Sequence, residues 1–156
     1  HTVSAIGAIN RLIDMGMEPF LVSSAVTSVT AQRLARTVCD SCSQPYEAKP
    51  EELADLEARA RKVGITIPEW FTEGLRRGAG CDECRGTGLR GRMLIFEALI
   101  VTPSIRDVIL RKASTDEMRA AAMNGGMEPL LLDGLRKAAD GRTTISEVMR
   151  VVDVAD

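Results

Sequence analysis

Two pairs of cysteines are the residues of this sequence whose type and spacing point most directly to chemistry. Cys39 and Cys42 form one Cys-x-x-Cys pair, and Cys81 and Cys84 form the second. Each pair places two sulfurs on one side of a turn, about 3.7 Å apart if both bind one tetrahedral zinc ion at the usual bond length. Because the two pairs together supply four thiolates, the spacing predicts that they meet in one zinc site.

A four-thiolate zinc site is closed, since no coordination position is left for water or substrate, so its predicted role is structural rather than catalytic. Residues 43–80, which lie between the pairs, contain few large apolar side chains. A metal that ties the ends of this segment together lowers the entropy of the open chain and fixes the strands on either side. Gly80, Gly86 and Gly88 allow the backbone to turn tightly beside the second pair.

Other roles for the cysteines stay open at this point. An even number of cysteines also suits a disulfide scaffold. Nothing marks the chain as secreted, however, and its 156 residues, 45% of them hydrophobic, do not need such cross-links. Reduced or disulfide-bonded cysteines without metal, and redox activity, are the remaining alternatives.

Hydrophobic periodicity and turn residues predict the elements that hold the two pairs. A strand over residues 26–38 leads directly into the first pair, and a strand over 93–101 follows the second. The other elements predicted up to residue 80 are, in chain order, a helix near 4–15, a short helix opening at Glu18-Pro19, a turn at 44–46, a helix over 50–62 and an irregular segment at 65–80 with a turn of helix near 68–71.

The sequence after residue 101 is predicted to be helical. Ser114 with Glu117, and Thr144 with Glu147, form two capping boxes that mark helix starts. Four short helices joined by tight turns predict a compact helical subdomain. They are expected at about 103–112, 115–124, 128–139 and 145–152.

Composition disfavours several functional classes. The net charge is -2 and aromatic residues make up 3%, so neither general attraction to nucleic acid nor base stacking is expected. No apolar run approaches the roughly 20 residues that a membrane span needs, and the first residues do not form a signal peptide. The sequence starts at His1 rather than at Met, so we expect it to be cut from a longer protein.

Arginines surround the second cysteine pair and exceed the nearby Asp82 and Glu83 by three charges. We interpret them as a solvated rim; a contact with a neighbouring subunit, or with phosphate across a subunit interface, is the alternative. Residues 86–88 do not form a phosphate-binding loop, because the Lys-Ser/Thr ending is missing. Arg36, before the first pair, is expected to form surface salt bridges. The five arginines of the rim are Arg76, Arg77, Arg85, Arg90 and Arg92.

Several segments, in order along nearly the whole chain, resemble the type II secretion and type IV pilus assembly ATPases. The first of them resembles the segment that begins at the histidine box of that family. Others resemble its zinc knuckles, the strand after them and the closing helices. The segments are His1–Leu21, Ala31–Cys42 with Pro45-Tyr46, Cys81–Arg92 with Phe96-Glu97, Gly126–Leu130, Asp133–Lys137 and Gly141–Val148.

The resemblance implies an α+β, mostly helical fold. Residues 1–38 would be the C-terminal end of a RecA-like α/β ATPase core. Residues 39–92 would form a tetracysteine zinc-binding domain with Cys39, Cys42, Cys81 and Cys84 as ligands. Residues 93–156 would add a strand and a small C-terminal helical domain.

The resemblance also implies a function for the longer protein. Such proteins are cytoplasmic homohexamers that couple ATP hydrolysis, with Mg²⁺, to movement of an inner-membrane platform protein, and they reach the membrane through that partner. By the same resemblance, His1 would be the histidine-box residue near the nucleotide phosphates. Val3 departs from the Asn common at its position. The Walker A loop, aspartate box, Walker B acid and arginine fingers would lie upstream, so the isolated fragment is predicted to be inactive.

Two functions of other classes stay open as alternatives. One is a zinc-ribbon module that binds nucleic acid, which the acidic charge balance and the scarcity of aromatics disfavour. The other is a chaperone-like zinc module, since Cys81 begins a Cys-x-x-Cys-x-Gly-x-Gly pattern. A chaperone domain would need more than the two knuckles that this sequence contains.

Overall fold

A computed structural model describes residues 4–152, which form a mixed α/β structure rich in helix. Within that range the helices are α1 (Ala5–Asp14), α2 (Pro19–Ala25), α3 (Pro50–Lys62), α4 (Pro103–Leu110), α5 (Thr115–Asn124), α6 (Leu130–Ala139) and α7 (Ile145–Val151). The strands are β1 (Ser28–Val38), β2 (Ser43–Pro45), β3 (Arg76–Gly78) and β4 (Leu89–Ile100). Two 3₁₀ turns lie at Asp40–Cys42 and Glu69–Thr72.

The described residues divide into two compact units. Unit one contains residues 4–32 and 96–130, and unit two contains residues 33–95 and 131–152. Strands β1 and β4 pass from one unit into the other along the chain, and they pair with each other in a two-stranded sheet. The predicted boundaries after residues 38 and 92 differ from this division and stay predictions.

Unit one is a helical assembly around an apolar core. Helix α2 packs on α4, and α1 packs on α5. Ile6 and Ile9 recur at helical spacing on α1 and are buried, which is why this segment folds as an amphipathic helix. Ser4 caps α1 by accepting a hydrogen bond from the Gly7 N–H at 2.9 Å. Local sequence therefore defines this helix, and the helix predicted near 4–15 is confirmed at Ala5–Asp14.

Helix α5 confirms the first predicted capping box. The Ser114 hydroxyl accepts the Glu117 N–H at 3.2 Å, and the Glu117 carboxylate accepts the Ser114 N–H at 3.1 Å. The two bonds satisfy donors that the first turn of a helix otherwise leaves without partners.

Unit two contains the cysteines and the segment between them. Strand β2 pairs with β3 in an antiparallel ladder that places Ser43 opposite Gly78 and Pro45 opposite Arg76. Helix α3 begins with Pro50 at its first position, as predicted, and packs on α7. Leu56 and Phe71 are buried, so the segment between the cysteine pairs contributes apolar side chains to the core of unit two.

Three details of this region differ from the prediction. Residues 44–46 were expected to turn, but Ser43–Pro45 form β2; Pro45 has no N–H to donate and stands at the end of the ladder, where that loss is tolerated. The segment expected to be irregular contains β3. Strand β4 begins at Leu89 instead of Met93. These short pairings depend on a partner strand distant in sequence, so hydrophobic alternation did not reveal them.

Candidate metal centre

Both cysteine pairs are placed by strands of unit two. Cys39 directly follows the last residue of β1, and Cys42 ends the 3₁₀ turn that leads into β2. The β2–β3 ladder then returns the chain to the start of the second pair, where the Ala79 N–H donates to the Cys42 carbonyl at 2.9 Å. The Cys39 N–H donates to the Gly88 carbonyl at 3.0 Å, which joins the first pair to the turn after Cys84.

The four sulfurs form one cluster. All four Sγ atoms lie within 4.8 Å of one another. The Sγ–Sγ distances are 3.8 Å between Cys39 and Cys81, 3.9 Å between Cys42 and Cys84, and 3.7 Å between Cys81 and Cys84. Four thiolates bound to zinc at about 2.3 Å in a tetrahedron are separated by about 3.7 to 3.8 Å, whereas a disulfide brings two sulfurs to about 2.05 Å. The spacing fits a tetrahedral metal site, and none of the four cysteines forms a disulfide.

Backbone N–H groups point at two of the sulfurs. The Gly80 N–H donates to Cys42 Sγ at 3.3 Å, and the N–H groups of Cys81 and Gly88 each donate to Cys84 Sγ at 3.2 Å. Such donors stabilise a thiolate, as metal ligation requires. The Cys81 N–H lowers the pKa of Cys84 to about 6 against the opposing effect of burial, and the Gly88 N–H adds to this lowering. Burial raises the pKa of the Cys42 thiol to about 11.

Two glycines let the ends of the cysteine segments approach each other. A Cβ on Gly78 would lie 2.1 Å from the Gly88 carbonyl oxygen, and a Cβ on Gly88 would lie 2.5 Å from the Gly78 oxygen. Gly88 also has φ of +71°, which side chains rarely adopt. The close approach brings β3 against the turn that holds Cys84. The sequence predicted a role for Gly88 but gave no sign of one for Gly78.

Burial also suits a structural site. Cys39 and Cys84 are buried, and Cys42 and Cys81 are half-buried. A cluster of four thiol donors is chemistry that soft or borderline ions such as Zn²⁺ prefer. The described residues therefore fit a closed tetrahedral site, whose four ligands leave no position for a substrate.

Several arginines of the predicted rim bind the cysteine segments themselves. Arg76 donates from Nε to the Ser43 hydroxyl at 2.7 Å and from Nη2 to the Ser43 carbonyl at 3.1 Å. The Arg77 guanidinium lies over the Tyr46 ring, 5.4 Å from its centroid. Arg90 forms an ion pair with Glu83. These three side chains brace the β2–β3 ladder and the second pair.

Glu147, which the sequence predicted only as half of a capping box, is a buried carboxylate near the start of α7. Glu147 is 2% exposed and accepts the Arg36 N–H at 3.0 Å, the Arg36 guanidinium at 2.5 Å and the Arg150 guanidinium at 2.7 Å. The Glu147 N–H does donate to Thr144, at 3.2 Å, but the carboxylate turns to the arginines instead of completing the predicted capping box. Burial would raise the pKa of Glu147; the hydrogen bonds from Arg150 and Arg36 outweigh it and lower the pKa to about 2.

His1, the predicted histidine-box residue, lies outside the described residues. Within residues 4–152, the helices are all too short or too polar to cross a membrane.

Comparison with known proteins identifies the family. The family model for type II/IV secretion system proteins matches residues 1–150. Type II secretion system protein E of Pseudomonas aeruginosa is 42% identical over 97% of this chain, which covers 28% of that protein. The type IV pilus assembly ATPase PilB of Thermus thermophilus is 41% identical over 96% of this chain, which covers 16% of it.

A third relative, the type II secretion system ATPase E of Vibrio cholerae, is 38% identical over 97% of this chain and again 28% covered. The chain thus spans between about a sixth and about a quarter of the length of these relatives.

Proposed function

The chain belongs to the type II/IV secretion system protein family, and we propose that it is the C-terminal part of a hexameric cytoplasmic ATPase that powers type II protein secretion or type IV pilus assembly. The names of the relatives support this, since two of the three are called ATPases. The relatives are several times longer than this chain, which leaves ample length for the nucleotide-binding motifs that it does not contain.

In this proposal the chain contributes a structural zinc site. The observation that carries it is the single cluster of four sulfurs with the spacing of a tetrahedral thiolate site. Cys39, Cys42, Cys81 and Cys84 would hold Zn²⁺, which would fix the two turns against each other. The backbone N–H groups at Cys42 and Cys84 would stabilise the ligating thiolates.

The remaining roles belong to the longer protein. ATP and Mg²⁺ would bind upstream of this chain, with His1 near the phosphates. The helices would contact neighbouring subunits of the hexamer, and an inner-membrane platform protein would be the partner that the motor moves. The resemblance of the segments named above supports each of these assignments.

Parallel assays on this 156-residue chain and on the longer protein test the proposal. We expect Mg²⁺-dependent ATP hydrolysis and a hexamer, seen by native mass spectrometry, for the longer protein. We expect no hydrolysis by the chain alone, because binding and chemistry would reside upstream. Hydrolysis by the isolated chain, or a longer protein that cannot hydrolyse ATP, would contradict the assignment.

A further inference from the structure

The four cysteines of the metal centre differ in their exposure to water. Cys39 and Cys84 are 1% and 5% exposed, whereas Cys42 and Cys81 are half-buried. Oxidation of a cysteine requires that the oxidant reach its thiolate. A small oxidant dissolved in water therefore meets the two half-buried cysteines before the two buried ones.

Hydrogen bonds distinguish the two half-buried cysteines from each other. Cys42 Sγ accepts the Gly80 N–H at 3.3 Å. Among the described residues, Cys81 Sγ contacts the sulfurs of Cys39 and Cys84 and accepts no backbone N–H. Metal ligation holds all four cysteines as thiolates, so access and nucleophilicity decide their reactivity. Since nucleophilicity falls as donors stabilise the charge on sulfur, Cys81 is the more reactive of the accessible pair.

A second sulfur lies close to Cys81 in the same turn. Cys84 Sγ is 3.7 Å from Cys81 Sγ and accepts the Cys81 N–H at 3.2 Å. The turn is closed by the Gly86 N–H, which donates to the Cys81 carbonyl at 2.9 Å. Cys39 Sγ is 3.8 Å from Cys81 Sγ but belongs to the other cysteine pair, so a bond to it would require two turns to move together. Because a bond within one turn closes only a short loop, Cys84 is the sulfur that reacts with an oxidised Cys81.

We propose, resting on the zinc site proposed above, that the metal centre is also a reversible oxidation site for hydrogen peroxide. Cys81 Sγ attacks one peroxide oxygen: the S–O bond forms, the O–O bond breaks, and the leaving hydroxide takes up a proton. Cys84 Sγ then attacks the sulfenic acid on Cys81: the S–S bond forms, the S–O bond breaks, and the second hydroxide is protonated. Two thiolates, one peroxide and two protons thus give one disulfide and two water molecules.

The disulfide takes two of the four ligands from the metal centre. Cys39 and Cys42 alone do not make a closed four-thiolate site, so oxidation releases the zinc ion. The β2–β3 ladder, which lies between the two cysteine turns, then loses the ion that fixes them. A thiol reductant together with zinc restores the site, because a disulfide is a reversible product. Exposure to peroxide thereby controls the local order of unit two.

Peptide mapping of the 156-residue chain, purified without chelator, tests the proposal. Trypsin cleaves after Arg77 and Arg85 and so releases the second cysteine pair in one peptide, 78–85, and the first pair in another, 37–59. After a limited dose of hydrogen peroxide, we expect a disulfide inside peptide 78–85 and sulfenic acid trapped by dimedone on Cys81. A chromogenic chelator should detect about one zinc ion released per disulfide.

The same chain, unfolded in guanidinium with a chelator, is the control, and its four cysteines should be oxidised without preference. In the folded chain, a disulfide between the two peptides or dimedone on Cys42 first would overturn this inference alone. Zinc that stays bound after the disulfide forms, or no reaction at doses that oxidise the unfolded chain, would do the same. A chain purified without zinc would overturn the proposed zinc site and this inference together.

Two histidine variants compare the half-buried cysteines directly. Cys81→His keeps a zinc-binding side chain but removes the attacking thiolate, so peroxide-driven zinc release should slow about tenfold or more. Cys42→His is the matched comparison: it keeps Cys81 and should release zinc several times faster than Cys81→His does. Equal rates in the two variants would overturn the inference. If neither variant binds zinc, the peptide map of the parent chain decides alone.

Discussion

The backbone turns of unit one and those around the cysteines of unit two are stabilised by different interactions. In unit one, the turns lead into regular helices that pack around an apolar core. The hydroxyls of Ser4 and Ser114 cap helix starts by accepting backbone N–H groups. Around the cysteines, the 3₁₀ turn, a three-residue ladder and closely approaching glycines leave little apolar surface to bury.

The difference indicates where each region obtains its stability. Apolar burial and helix caps stabilise unit one without a bound ion. They do so at every pH at which the side chains involved keep their charge state. A cluster of thiols gains most of its stability from the ion that it binds, since metal binding is coupled to folding. The two regions should therefore respond differently to loss of metal, to added methyl groups at glycines and to acid.

The largest contrast is expected when one sulfur is removed. Cys84→Ser takes away a buried ligand with two N–H donors, and structural zinc contributes about 10 kcal/mol or more in small zinc domains. Hydrogen exchange measured by mass spectrometry should rise strongly in β2 and β3 and little in α1 and α5. Ser41→Ala, which removes an exposed hydrogen bond to Glu83, is the control and should leave both regions protected. An equal rise in hydrogen exchange in the β2–β3 ladder and in α1 and α5 would contradict the comparison.

The next largest effect is expected at Gly78. Gly78→Ala places a Cβ 2.1 Å from the Gly88 oxygen, so the backbone beside the metal centre must shift. We expect a loss of about 3 kcal/mol or more in the free energy of unfolding, measured with urea, and weaker zinc retention against a chelator. Gly64→Ala is the control: its Cβ meets nothing within 4 Å, so it should lose about 1 kcal/mol for its positive φ alone and keep zinc. Similar losses in both variants would argue against a tight approach at Gly78.

Acid should weaken unit two through Glu147 as well as through the thiols. The pKa of Glu147 is lowered from 4.5 to about 2, so its contribution is complete above about pH 5 and is lost as pH falls towards 2. This lowering of the pKa corresponds to a contribution of about 3 kcal/mol to the free energy of unfolding at neutral pH. The difference in unfolding free energy between the parent chain and Glu147→Gln should shrink by about this amount from pH 7 to the acid limit.

Loss of zinc in acid affects both proteins of this pair, so the difference isolates Glu147. A difference that stays constant with pH would show that the ion pairs with Arg36 and Arg150 do not stabilise the carboxylate.

The smallest effect is expected in unit one. Ser114→Ala removes one half of the capping box of α5 and should lower the unfolding free energy by about 1 kcal/mol. Ser114→Thr keeps a hydroxyl at the cap and should recover most of that loss. Zinc content should be the same in all three proteins, and a change in metal retention with Ser114→Ala would mean that the two regions are not held independently.

The parts of the structure that the sequence predicted are those with a local cause. The helices α1, α3 and α5 follow from apolar spacing, an N-terminal proline and a capping box, and the sulfur cluster follows from two Cys-x-x-Cys pairs. A few neighbouring residues suffice to define each helix, and two short motifs suffice to predict the sulfur cluster although residues 43–80 lie between them.

The parts that the sequence did not predict depend on residues far apart in the chain. Arg36 was expected at a surface salt bridge, and its partner Glu147 is buried and 111 residues away. The approach of Gly78 to Gly88 and the contact of Glu97 with Ala5 are likewise set by tertiary pairing. No propensity or periodicity of the single sequence contains that information.

The most direct test of a shared four-thiolate site is zinc K-edge X-ray absorption on the chain purified without chelator. We expect one zinc ion per chain with a first shell of four sulfurs at about 2.3 Å and no nitrogen or oxygen neighbour. A chain without zinc, or a zinc shell that contains nitrogen or oxygen ligands, would contradict the account.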